Sequence, residues 1–170
     1  MDSRPPKVPN WSRRLFVSGT VVVAVLLGGL IASATIPRWW AQRIGEQVGG
    51  SIVTGTLVGL FYGFVFTALP LLVLAVVAGW RRTPRATAVA VAVALVLAIP
   101  NLMTLGIVLG TGNAAHAGER ILDVEAPAFR GASLAGALIA VGMAGFVTFL
   151  IVSRRRARGA ARDTMPDPGP

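Results

Sequence analysis

Four long apolar blocks dominate the chain, at residues 15–36, 51–79, 86–109 and 131–152, and the charged residues fall between and outside them. Each block exceeds the ~18 apolar residues that mark a membrane-spanning helix. At the helical rise, a block of about 22 residues reaches about 33 Å, enough to cross a hydrocarbon core of ~30 Å. The second block is longer, so it is expected to tilt or project beyond the core. Residues 88–98 alternate small and large side chains in the manner of a strand. A lone strand in lipid would leave its backbone groups unpaired, so a helix is expected there too. The pattern predicts an all-α, polytopic bundle of four transmembrane helices.

The flanks divide the chain further. Residues 1–14 form a basic tail with Arg4, Lys7, Arg13 and Arg14, in which Pro5, Pro6 and Pro9 discourage a helix. The transmembrane domain is expected over residues 15–153, with Pro37 ending the first helix. A basic tail follows over 154–170, and its small, polar, proline-containing end from residue 159 is expected to be disordered. A rival reading of residues 1–34 is a cleavable signal peptide, because a basic start and an apolar stretch precede Ala32-Ser33-Ala34. That apolar stretch is longer than the usual 7–15 residues, so a retained helix is preferred.

Charge placement orients the bundle. The chain carries 16 Lys and Arg against 7 Asp and Glu, a net charge of +9. In a soluble protein that excess suggests nucleic acid, but here its distribution follows the positive-inside pattern. Arg38, Arg43, Arg120 and Arg130 fall in the two loops on one side, and the other twelve basic residues lie on the opposite side. Both termini are therefore expected in the cytoplasm of a bacterial cell, with the helices in its plasma membrane. Trp11, Trp39, Trp40 and Trp80 fall at expected helix ends, where an aromatic belt forms. Arg154, Arg155 and Arg156 close the fourth helix and are expected to face anionic lipid headgroups.

Composition narrows the chemistry. Hydrophobic residues make up 54% and charged residues 14%, too few to cover a soluble sphere. There is no cysteine and one histidine, His116. Disulfides, thiol catalysis and multi-histidine metal sites are thereby excluded. No Asp, Glu, Lys, Arg or His lies inside any expected span, which argues against a proton-coupled transporter. The sequence predicts no enzyme, no cofactor, no metal and no nucleic-acid partner.

Two constellations inside the spans remain. On the second helix, Ser51, Gly55, Gly59 and Gly63 stand four apart and make a smooth ridge that another helix can approach closely. Gly136 and Ala140, with Ala132 and Ala144, make a similar ridge on the fourth, and Ala24, Gly28 and Ala32 on the first. Packing within one bundle and an interface between copies both suit such ridges. The second constellation is polar. Tyr62 is expected about 15 Å deep from the outer end of its helix and Asn101 about 12 Å deep in the third. Pro100 lacks an N–H, so it releases the carbonyl of Val96 and is expected to kink the helix. Tyr62, Pro100, Asn101 and Thr104 are the candidate lining of a cavity; hydrogen bonds to neighbouring helices are the plainer role.

The two outer loops are read as docking or anchoring segments. Residues 37–50, as a short helix, would place Trp40, Ile44 and Val48 on one face along the membrane interface, with Arg43 and Glu46 paired at i,i+3. Residues 111–130 hold His116, Glu119, Arg120, Asp123 and Glu125, expected as solvated charges and local ion pairs rather than a reactive set.

Pro37-Arg38-Trp39-Trp40, the ridge of Gly55, Gly59 and Gly63, and Ile121-Leu122-Asp123-Val124-Glu125-Ala126-Pro127 together resemble small four-helix membrane proteins of actinobacteria, some of them loosely called permeases. The resemblance implies the topology and assigns no catalytic residue. The leading expectation is a non-enzymatic membrane protein acting by association, as a homo-oligomer or an accessory subunit of a membrane complex. The alternative is a small-molecule permease or pore component. Anionic lipids at the inner face are the other expected partner.

Overall fold

The computed structural model describes residues 11–79 and 83–163. They form five helices: α1 (Trp11–Val48), α2 (Ile52–Ala78), α3 (Pro84–Leu109), α4 (Asn113–Glu125) and α5 (Phe129–Asp163). Four of them, α1, α2, α3 and α5, are long and apolar enough to cross a membrane. The fifth, α4, is short and charged. The basic tail before Trp11, Trp80, Arg81 and Arg82, and the last seven residues lie outside the described residues, as do the side chains of Arg155 and Arg156.

Pro37 does not end the first helix. It lies inside α1, which runs on to Val48 without interruption. The loss of one backbone hydrogen bond at proline is offset by packing beyond it. Trp40, Ala41, Ile44 and Val48 are all buried, and their spacing puts them on one stripe of the helix. That stripe meets protein, not the membrane interface, so residues 37–48 are an extension of α1 and not a separate surface helix. At 38 residues, α1 is about 57 Å long, far more than one hydrocarbon core needs.

The partner of that extension is α4, which sequence reading leaves as part of a loop. Ala114, Ala115, Gly118 and Leu122 line its buried face, one helical turn apart. His116, Arg120 and Asp123 occupy exposed positions. Gly118 lets the two helices approach: an added Cβ would stand 3.0 Å from the Pro37 carbonyl oxygen and 3.3 Å from Ile107. The deepest core of the chain sits here, in a cap built from Trp40, Ile44, Leu122, Phe129 and the Ile107 end of α3.

The turns hold the cap in register. Between α1 and α2, Gly49 (φ 61°) and Gly50 (φ 75°) take the left-handed conformation that favours glycine. The Gly50 N–H donates to the Glu125 carbonyl at 2.8 Å, stitching this turn to the end of α4. Ser51 then caps α2, its hydroxyl accepting from the Thr54 N–H. Between α4 and α5 the chain turns through Ala128, which holds a positive φ of 67° without being glycine.

Below the cap, α2 is central. Gly55, Gly59 and Gly63 face Pro127, Phe129 and Ser133 of the α5 entry, and Gly136 of α5 faces Leu60 and Phe64 of α2. Residue numbers rise together on both sides, so α2 and α5 run parallel. An added Cβ on Gly59 would stand 2.8 Å from the Ala132 Cβ, and on Gly63 it would collide with the Ser133 carbonyl. The glycine ridge is thus consumed by packing within the chain. Ala140 continues the buried face of α5, while Ser51 serves as the α2 cap. On its other side α2 meets α3 in the antiparallel sense, with Asn101 opposite Gly63 and Thr67.

The span of α1 behaves differently. From Leu15 to Ile31 every described residue is exposed, on all faces of the helix. Gly19, Gly28 and Gly29 have nothing within 4 Å of an added Cβ. The first half of the span is thus uncovered, whereas Ala32, Ser33 and Ile36 share a groove with Ile99, Leu102 and Met103 of α3.

Candidate functional site

The polar groups inside the spans gather where α3 crosses α2. Asn101 Nδ2 donates to the Gly63 carbonyl at 3.2 Å and to Thr67 Oγ1 at 2.8 Å. Because a carbonyl can only accept, the amide nitrogen must face Gly63, which fixes the orientation of the side chain. Its Oδ1 is then buried with no hydrogen-bond partner among the described residues. A buried acceptor left unmatched costs about 1–3 kcal/mol.

One helical turn nearer the cap, Thr104 Oγ1 accepts from the Trp40 indole Nε1 at 3.0 Å and donates to the Pro100 carbonyl at 3.1 Å. Trp40 is 8% exposed, so it belongs to the protein core and not to the interface belt. Trp11 and Trp39 are exposed, at 69% and 50%.

Tyr62 does not join Asn101. Its hydroxyl lies 3.2 Å from Gln47 Oε1, to which it donates, tying α2 to the extension of α1. Its ring packs between Trp40, Phe66 and Phe129, with centroids 5.9, 5.2 and 6.1 Å away. Tyr62 and Gly63 are adjacent in sequence but face different neighbours, so the shared depth of Tyr62 and Asn101 brings no contact. Of the four candidate cavity residues, Asn101 and Thr104 line a groove of about 410 Å³ between α3 and α5; Tyr62 and Pro100 do not. Thr67 and Ser133, which sequence reading passes over, share its lining, and Arg130 stands at its cap end. Both were legible only as isolated polar positions in apolar blocks.

Arg130 also organises the rim of the cap. Its guanidinium pairs with Glu119 at 2.9 Å and with Asp123 at 2.5 Å, joining α4 to the first turn of α5. His116 Nδ1 lies 3.4 Å from Glu119, and Arg43 pairs with Glu46 at 2.8 Å on the exposed side of α1. These side chains are wholly or partly exposed, and such pairs contribute little stability each. Among the described residues no group of three or more His, Cys, Asp or Glu could hold a metal ion.

The arrangement therefore offers hydrogen-bond donors and acceptors at one level of an apolar groove, a tightly packed cap, and one long apolar helix exposed over the first half of its length. Comparison with protein-family models, with curated proteins and with solved structures finds no match, so the four apolar helices and their cap stand as the description of the chain.

Proposed function

We propose that this is a non-enzymatic protein of a bacterial plasma membrane that acts by association, and that its α1 span is the element it contributes to a complex. The reading rests on one observation. The shaft of α1 is exposed on every face from Leu15 to Ile31, while its extension is locked into the cap through Trp40, Ile44 and Val48. A helix fixed at one end and free along its span is an arm presented to other membrane helices. Ala24, Gly28 and Ala32 give that arm a smooth side, the kind on which helices associate in lipid. The ridges of α2 and α5 are already engaged, so the association surface moves from them to α1. With twelve of sixteen basic residues on one side, the arm begins at the cytoplasmic face. Its partner is a second copy of the chain or another membrane subunit.

The chain has no cysteine, which makes the test direct. Single substitutions Val25→Cys, Leu26→Cys, Leu27→Cys and Gly28→Cys sample every face of α1. Cross-linking in native membranes is expected to trap a defined species from one face, and the mass released in native lipid discs is expected to exceed one protomer. A lone protomer from all four variants, with no co-purifying membrane protein, would sink the proposal. A permease reading keeps one observation in its favour, the groove holding Asn101 and Thr104. It predicts altered solute flux in Asn101→Ala with assembly unchanged.

A further inference from the structure

A second groove lies at the opposite end of the bundle from the cap. Its volume is about 580 Å³, and it runs between the last turns of α2 and the first turns of α3. Its walls are apolar, with Leu72, Val73 and Val76 on one side and Val89 and Val93 on the other. Ala86 and Ala90 lie between them on α3, small enough to leave the space open. Arg85 closes the end nearest the α2–α3 turn. The two helices are clamped together at mid-span by Asn101 on Thr67, and the groove occupies the stretch beyond that clamp.

We infer that this groove binds one anionic phospholipid of the adjacent leaflet, with an acyl chain along the apolar walls and the phosphate against the Arg85 guanidinium. Three features favour that occupant. The long axis of the groove follows the helices, as lipid chains do. The part of α3 from Arg85 to Val93 rises about 12 Å, which suits the upper part of a chain and leaves its end in the bilayer. The charge of Arg85 stands at the end where a headgroup would sit, and it has no carboxylate partner among the described residues. A cation placed at that level favours anionic over zwitterionic lipid. The outer groove does not offer this match, because its Arg130 is already held by Glu119 and Asp123.

Native mass spectrometry of the delipidated full chain, titrated with phosphatidylglycerol or phosphatidylcholine, tests the site. The unmodified protein is expected to retain one phosphatidylglycerol per protomer in preference to phosphatidylcholine. Arg85→Gln should reduce that preference about fivefold, the worth of one interfacial cation. Val89→Trp should fill the groove and lower retention of both lipids, while Arg120→Gln, on the exposed face of α4 at the opposite end of the bundle, should leave retention as it was. No preference in the unmodified protein would overturn the inference, and so would an undiminished preference in Arg85→Gln. Lipids are counted per protomer, so the result stands apart from whether α1 joins a complex.

Discussion

Trp40 and Thr104, 64 residues apart, are joined by an indole-to-hydroxyl hydrogen bond of 3.0 Å that fastens α1 to α3 inside the cap. Thr104 passes the interaction on to the Pro100 carbonyl of its own helix. This carbonyl lies beside Asn101, so the bond links the cap to the level where α3 crosses α2.

Replacing Thr104 with Val keeps the volume and removes the acceptor, leaving the Trp40 N–H buried and unmatched. The expected cost is about 1–3 kcal/mol in unfolding from detergent. Trp40→Phe in the Thr104→Val background should add less than Trp40→Phe alone, because the bond is already gone. Equal costs in both backgrounds would show that the bond contributes nothing.

Glycines of the same chain should divide sharply. Gly63→Ala drives a methyl into the Ser133 backbone, and Gly59→Ala meets the Ala132 methyl. Each is expected to destabilise by about 1–3 kcal/mol, the usual cost of overpacking. Gly28→Ala, with open space around it, should leave thermal stability in detergent unchanged or slightly raised. Its effect belongs in the assembly measurement instead.

Asn101→Leu gives up two donated hydrogen bonds and at the same time removes the unmatched Oδ1. A net loss of no more than about 1 kcal/mol is expected, in line with interhelical hydrogen bonds in membranes. Asn101→Asp should be worse than Leu, since it loses the donors facing Gly63 and Thr67 and adds an ionisable group within the span. Parallel denaturation of the two variants decides the order.

Arg130→Gln cuts the link from Glu119 and Asp123 to α5. The global cost should stay at or below about 1 kcal/mol, because the three side chains are partly exposed. Amide exchange in α4 should nevertheless rise locally, while α2 keeps its protection. Raising salt on the unmodified protein should move α4 in the same direction.

Ala128→Gly should stabilise the chain by up to about 1 kcal/mol, since Ala holds a φ of 67° that glycine adopts without steric penalty. Thermal unfolding beside the unmodified protein is sufficient to check it.

The spans were legible because membrane thickness imposes a length that apolar runs reveal directly. The cap was not. Its extension of α1 begins after Pro37, a residue that signals an end when only local structure is considered, and tertiary burial of Trp40, Ile44 and Val48 reverses that signal. The periodicity of Ala114, Gly118 and Leu122 in α4 was present, but small residues make a faint stripe among so many charges. The polar site was half legible. Asn101 and Thr104 announced themselves as polar groups beside a proline, whereas the direction in which Tyr62 points depends on Gln47 and on the aromatic rings of two other helices, Trp40 of α1 and Phe129 of α5. No helix-by-helix pattern encodes such a meeting.

The parallel contact of α2 with α5 also bears on how the chain is made. Its tightest helix pair joins segments separated by α3 and α4, so Gly55, Gly59 and Gly63 emerge from synthesis long before Ser133 and Gly136 exist to cover them. Until α5 is made, α2 carries a bare glycine face, open to any other small-faced helix. The packing of α2 is therefore completed only when α5 has been made, and a nascent chain stopped before residue 129 would leave that glycine face uncovered.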